Sequence, residues 1–254
     1  MLEATGLVKS FGSVRAVDGV DLAVWAGERV ALLGPNGAGK TTTLLMLLGA
    51  ITPDAGRVEI GGQRLPRRRS AAMAQVGFAA GYLPLPARLR VREALTIFAG
   101  FYGLDRPMAQ TAIARALERF RIPQLADRPC EQLSSGQRTL VGIVKAVLHR
   151  PRLLVLDEPT ASLDPDVAYR VRRGLLEQAE VDGTALLVTS HNMLEVERLC
   201  ERVVFISGGR IVADGTPADV AEHFGRDDLE DVFLELAGTF DGEVKDGAEE
   251  GVGT

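Results

Sequence analysis

Gly34-Pro35-Asn36-Gly37-Ala38-Gly39-Lys40-Thr41 follows an apolar run at residues 30–33 and precedes a second apolar run at residues 42–48. A strand that turns sharply into a helix needs residues free of a Cβ, and Gly34, Gly37 and Gly39 supply them. Such a turn leaves the backbone N–H groups of Asn36, Gly37, Ala38 and Gly39, and those of the first helical residues through Thr42, facing outward toward an anion. Lys40 adds a cation that reaches the β and γ oxygens of a nucleoside triphosphate, and Thr41 adds a hydroxyl suited to Mg²⁺. The alternative is an ordinary glycine-rich turn. With glycine at about 7% of residues, a chance match of this pattern arises in roughly one such chain in a hundred. The pattern therefore predicts a phosphate-binding loop that holds a nucleotide with Mg²⁺.

A second acidic element completes that chemistry. The most apolar segment, residues 153–156, runs directly into Asp157-Glu158. Ending a buried strand in two carboxylates is costly unless they meet a cation or a water. A nucleotide site supplies both: Asp157 can enter the Mg²⁺ shell, and Glu158 can polarise the attacking water.

Further short apolar segments lie at residues 20–24, 29–33, 58–60, 185–189, 203–206 and 210–213. Two of the runs, 153–156 and 186–188, are continuous rather than alternating, as strands of a parallel sheet covered on both faces should be. The strands before Val30 are more mixed and predict an antiparallel edge. Between Arg92 and Arg150 the period lengthens to that of helices. Leu95, Phe98 and Tyr102 form one stripe, Ile113, Leu117 and Phe120 a second, and Leu140, Val144, Val147 and Leu148 a third. The expected fold is α/β, of the P-loop NTPase kind: a mostly parallel sheet core, an antiparallel N-terminal β edge, and a helical subdomain inserted at about residues 84–150. Later helices have start signals, Asp164 before Pro165 and Thr216 before Pro217 with Asp219 completing a box. The folded domain is expected over residues 1–240. Residues 241–254 hold five acidic residues, one Lys and four Gly, which predicts a disordered tail.

Composition narrows the function classes. The chain has 254 residues, 46% hydrophobic and 25% charged, which excludes disorder throughout. Its formal charge of −5 and pI near 5.4 leave no basic excess for a nucleic-acid partner. Met1-Leu2-Glu3 does not open a signal peptide, and the most apolar run, residues 43–51, is about half of the ~20 residues that a membrane span needs. A cytoplasmic chain that reaches a membrane only through a partner is expected. Cys130 and Cys200 stand in no metal-ligand spacing. The Arg67-Arg68-Arg69 run reads as a solvated loop.

Leu133-Ser134-Ser135-Gly136-Gln137, ahead of a helix and upstream of Asp157-Glu158, resembles the LSGGQ signature of the ABC ATPase family. Ala161-Ser162-Leu163-Asp164 and Ser190-His191 extend the resemblance, which covers about residues 2–238. It implies that Phe11 stacks on adenine and that His191 contacts the γ-phosphate. It further implies that Ser134, Gly136 and Gln137 face the γ-phosphate of the opposite subunit's nucleotide, and that Asp164 links the two sites. Catalysis would rest on Glu158, His191 and Lys40, and Mg²⁺ would be held by Thr41 and Asp157. By the same resemblance, two such subunits, as a homodimer or a heterodimer with a second ABC ATPase, sandwich two ATP molecules head to tail. They would drive transmembrane permease subunits from the inner face of the cell membrane. The acidic amphipathic stretch at residues 228–236 looks like the ending of bacterial export subunits.

Two positions depart from the family pattern. Ser135 stands where the family has Gly. At the glutamine loop, matching by distance selects Gly81 and matching the local string selects Leu85, neither of which carries a side-chain oxygen. Slow or partner-dependent hydrolysis is expected from that loss. The alternative it raises, an ATP-dependent dimerisation module with vestigial hydrolysis, is opposed by the intact Glu158 and His191.

Overall fold

The computed structural model describes residues 1–80, 85–161 and 163–246, with side chains through residue 238. The chain begins with β1 (Leu2–Phe11), β2 (Val14–Val24), β3 (Arg29–Leu33) and α1 (Lys40–Leu47). It continues through β4 (Ala55–Ile60), β5 (Gln63–Arg64), α2 (Arg69–Met73) and β6 (Val76–Ala80). Three helices follow, α3 (Val91–Phe101), α4 (Arg106–Arg119) and α5 (Ser135–Val147). The chain then alternates again through β7 (Leu153–Asp157), α6 (Pro165–Asp182), β8 (Ala185–Thr189) and α7 (Met193–Leu199). It closes with β9 (Arg202–Ser207), β10 (Arg210–Gly215), α8 (Pro217–His223) and α9 (Leu229–Asp246).

Two sheets result. One has the order β10-β9-β3-β8-β7-β6, parallel except for β10. The antiparallel strands form a sheet of their own, in the order β2-β1-β4-β5.

The continuous apolar strands are explained by how their alternate residues divide. Ala31, Leu33, Leu154, Leu156, Leu186, Val188, Val203 and Phe205 belong to a core shared with the helices α3 to α9. Their neighbours Val30, Leu32, Leu153, Val155, Ala185, Leu187, Val204 and Ile206 belong to a second core, shared with α1 and the antiparallel sheet. Successive side chains of a strand point to opposite faces, so a strand covered on both sides must be apolar at every position. Each fully buried Val, Leu or Ile contributes about 1.5–3 kcal/mol.

Helices α3, α4 and α5 turn their stripes inward, burying for example Leu95, Ile113, Leu117, Leu140 and Val144. Asp105 caps α4 by accepting from the Met108 N–H at 2.9 Å. The end of α4 is tied to α6 by Arg119, which bonds Asp182 and Gln178. Gln178 passes the chain on to the Thr184 hydroxyl at 2.9 Å, and that hydroxyl donates to the Pro151 carbonyl at 3.0 Å. These buried polar groups are thereby satisfied. Phe120, fully buried, lies so close to Gly174 of α6 that a Cβ there would stand 2.4 Å from its ring.

Four expectations change. Strand β6 was not anticipated, because Gly77, Ala79 and Ala80 hide its apolar signal. A Cβ on Gly77 would come within 2.2 Å of the Ala146 carbonyl oxygen, so close packing against α5 demands a small residue there. Asp164 occupies the cap position of α6, but its side chain accepts no cap hydrogen bond; Pro165 sets the first turn and removes one donor. Thr216 and Asp219 do form their box. Helix α9 runs to Asp246, past residue 241 where the tail was expected to begin, since each added residue of an established helix gains a hydrogen bond; residues 247–254 lie outside the described residues. The arginine run is exposed, yet Arg69 opens α2 and donates to the Gly49 carbonyl at 2.9 Å. Cys130 and Cys200 are free and buried, and burial pushes the Cys200 thiol up to about 12.

Gly174→Ala tests the α4–α6 junction. Alanine favours a helix by about 1 kcal/mol over glycine, whereas overpacking a rigid core costs about 1–3 kcal/mol. With the Phe120 ring immobile, a net loss is expected, read as a melting temperature lower by a few degrees.

Candidate nucleotide-binding site

Parallel strands present their C-terminal ends at one edge of a sheet, and the loops after β3, β7 and β8 gather there. The loop after β3 is shaped by its neighbours as much as by any ligand. Gly34 has φ +144°, and a Cβ on it would lie 2.0 Å from the Ile206 carbonyl oxygen of β9. Gly39 has φ +103°, and a Cβ there would lie 2.4 Å from the Ala16 carbonyl oxygen of β2. Between them, the Gly209 N–H donates to the Ala38 carbonyl at 3.1 Å. Gly39 caps α1 without a side-chain hydrogen bond, so the first turn of the helix presents its N–H groups to the cleft.

Lys40 is bent back over this loop, its ammonium donating to the carbonyls of Gly34 at 2.6 Å and Pro35 at 3.0 Å. Burial lowers its pKa from the ordinary value, while the charges of Glu158 and Asp157 oppose that shift. The two carboxylates are placed by the pairing of β7 with β8, which sets Asp157 beside Thr189. The Thr189 hydroxyl donates to Asp157 Oδ1 at 2.6 Å and accepts from the Glu158 N–H at 3.2 Å. Glu158 turns the chain away with φ +53°, a left-handed conformation that a non-glycine residue adopts at a cost of order 1–3 kcal/mol. Its Oε2 accepts from the His191 backbone N–H at 3.3 Å. Oε1 is enclosed and accepts no hydrogen bond among the described residues, although His191 Nε2 stands 3.2 Å away. A buried carboxylate oxygen left without a donor is an acceptor held ready for one.

Asn36, Gly37, Ala38, Gly39, Lys40, Thr41, Thr42, Asp157, Glu158 and His191 thus line one cleft of about 300 Å³, joined by Ala16 and Thr189. Those last two escaped the sequence reading. Thr189 had a signal, a hydroxyl ending an otherwise apolar strand; Ala16 had none, since it arrives from the other sheet.

The remaining expected residues lie elsewhere. Phe11, at the tip of the β1–β2 hairpin, is 51% exposed, which removes a role as a core aromatic. The Lys9 ammonium sits 5.7 Å from its ring centre. Ser134 caps α5, its hydroxyl accepting from the Gln137 N–H at 3.3 Å, and the side-chain Oε1 of Gln137 accepts from the Ser134 N–H at 3.1 Å. Gly136 packs against α6, where a Cβ would meet Val167 at 3.3 Å. None of these, nor Asp164, lines the cleft of its own chain. Gly81 lies outside the described residues. Leu85 packs against the helical core and not into the cleft.

Comparisons with known proteins agree with this geometry. The family profile described as "ABC transporter" matches residues 17–161. "Nod factor export ATP-binding protein I" of Paraburkholderia xenovorans (strain LB400) is 38% identical, over 89% of this chain and 77% of its own length. The protein of the same name from Ralstonia nicotianae (strain ATCC BAA-1114 / GMI1000) is 37% identical, over 88% of this chain and 69% of its own. A solved "ATP binding subunit of ABC transporter" superposes with a TM-score of 0.84 at 31% identity, covering 93% of this chain and 99% of that one. The phosphate loop, the paired carboxylates and these matches together establish that the chain belongs to the ABC transporter family, as one of its ATP-binding subunits.

Proposed function

We propose that this subunit hydrolyses ATP with Mg²⁺, as half of a two-subunit sandwich, and so powers export through transmembrane permease subunits that hold it at the inner face of the cell membrane. One observation carries the reading. The cleft gathers the phosphate loop, Asp157, Glu158 and His191, yet leaves Ser134, Gly136, Gln137 and Asp164 outside it. The residues missing from one chain's cleft are those that the family resemblance assigns to the opposite subunit. Capped by Ser134, α5 presents a helix N-terminus suited to a partner's γ-phosphate. The export direction is drawn from the names of the relatives in Paraburkholderia and Ralstonia.

Each residue has a role that follows from its placement. The backbone N–H groups of residues 36–42 cradle the β-phosphate, and Lys40 leaves the carbonyls of Gly34 and Pro35 to pair with the β and γ oxygens. Phe11, exposed at its hairpin tip, offers a face to adenine. The hydroxyl of Thr41 and the carboxylate of Asp157 are hard oxygen donors that fit Mg²⁺, and Thr189 fixes the carboxylate's orientation. Magnesium bound there supplies charge neutralisation at the β and γ oxygens. Glu158 accepts a proton from water as the water oxygen bonds to the γ-phosphorus and the bond to the ADP oxygen breaks. His191 donates toward the transferred phosphoryl group, and Asp164 at the start of α6 joins the two sites across the dimer.

Glu158→Gln is the direct test. Removing a general base costs about 10²–10⁴-fold in rate; phosphate release should fall by that factor while ATP without magnesium drives the variant into dimers, read by size-exclusion chromatography. A variant that stays monomeric in ATP, or that turns over at the parental rate, would overturn the shared-site reading. The glutamine loop has its own test. Because Leu85 belongs to the helical core, Leu85→Gln should lower stability by about 1 kcal/mol, a fraction of a buried leucine's contribution, without raising turnover. A faster enzyme would place position 85 at the site.

A further inference from the structure

His191 has a second neighbour that nothing in the phosphate chemistry requires. Its imidazole meets the ring of Phe233 edge to face, with centroids 5.9 Å apart and planes at 79°. Phe233 is carried by α9, about forty residues later in the chain, and the helix that presents it is firmly seated. Leu229 and Val232 of α9 are fully buried and Leu236 nearly so, all in the core shared with the helices. The start of the helix is held by Asp228, whose carboxylate accepts from the Asp231 N–H at 3.0 Å, and by the Arg226–Glu235 pair at 2.9 Å. Phe233 itself is only partly buried against that core. Its ring extends beyond the buried row to His191.

His191 needs such a support. It sits in the short segment between β8 and α7, its side chain 47% exposed. Its backbone is placed by donation to Glu158 Oε2, and the next residue, Asn192, caps α7 by accepting from the Glu195 N–H at 3.1 Å. These contacts fix the main chain, and the imidazole itself has Glu158 Oε1 3.2 Å from its Nε2 on one side and the Phe233 ring on another. An aromatic ring whose electropositive edge or electronegative face meets the imidazole at a steep angle selects one orientation, an effect that a methyl group does not supply.

We propose that Phe233 is a positioning residue for the catalytic site: its ring, anchored by α9, holds the His191 imidazole beside Glu158 through an edge-to-face contact. The proposal rests on the role given to His191 above and adds to it a dependence on the C-terminal helix. A consequence is that displacement of α9, by a partner or by truncation, loosens the histidine without touching the phosphate loop.

The test measures single-turnover phosphate release and ATP affinity for the full chain and for Phe233→Leu, Phe233→Tyr and His191→Ala, with thermal melts as a folding control. Leucine retains the apolar volume but not the ring. Phe233→Leu should slow the chemical step by roughly 2- to 12-fold, the population factor that an aromatic pair sustains, with ATP affinity changed less than twofold. Phe233→Tyr should restore the rate. In a His191→Ala background, Phe233→Leu should slow the reaction no further. An unaltered rate in Phe233→Leu would overturn the proposal while leaving the role of His191 in place. So would a further loss of equal size in the His191→Ala background, which would assign Phe233 to packing alone. A His191→Ala variant with the parental rate would overturn the histidine's role itself and, with it, the support assigned to Phe233.

Discussion

Burial of β3, β7 and β8 on both faces is the constraint from which the site follows. A strand whose every side chain is enclosed has no polar position until it leaves the sheet, so all of its chemistry is displaced to its C-terminal end. Because the strands are parallel, those ends share one edge. The loop of residues 34–39 emerges there from β3, Asp157 and Glu158 from β7, and Thr189 and His191 from β8 and its following turn. The two cores that enclose the strands hold this edge in place, where the Thr189 hydroxyl bonds Asp157 and the Lys40 ammonium bonds the carbonyls of Gly34 and Pro35.

Charge within the cleft is arranged so that each group depends on another. Lys40 is partly withdrawn from water, which lowers its pKa, and the charges of Glu158 and Asp157 oppose that shift. Asp157 is satisfied by Thr189, whereas the enclosed Oε1 of Glu158 accepts no hydrogen bond among the described residues and its backbone is left-handed. Strain and an enclosed acceptor at the same residue are costs that packing elsewhere offsets.

The helical segment between β6 and β7 contributes differently. Its α5 begins at Ser134 with a completed capping box, and that N-terminus lies outside the cleft that the same chain builds. Rigid attachment to α6 through Arg119, and through the contact of Phe120 with Gly174, ties this segment to the element that begins at Asp164. Two of the features given to the partner's site are therefore mechanically joined in one chain. The seated helix α9 brings a distant part of the sequence to His191 in the same way, through Phe233.

Much of this was legible in the residues themselves because it is local. The spacing of glycines before Lys40, the apolar run ending in two carboxylates, and the helical stripes of the insert each need only a few neighbouring positions to be recognised. So do the phosphate loop, the parallel strands and the signature helix. What escaped was set by contacts between remote segments. Strand β6 carries small residues because Ala146 presses against it, and its pattern is intelligible only once α5 is in place. Gly34 and Gly39 read as ligand-binding glycines, and the fold adds that β9 and β2 leave no room for a Cβ at either. Leu85, one of two candidates for the glutamine-loop position, packs against the helical core, which only the tertiary structure reveals. The chain's chemistry is written in short runs of residues, whose types and spacing fix what they can bind. Which of those runs meet, and which stay apart, is decided by the packing of sheets and helices, since side chains far apart in sequence acquire a common environment only when the core brings them together.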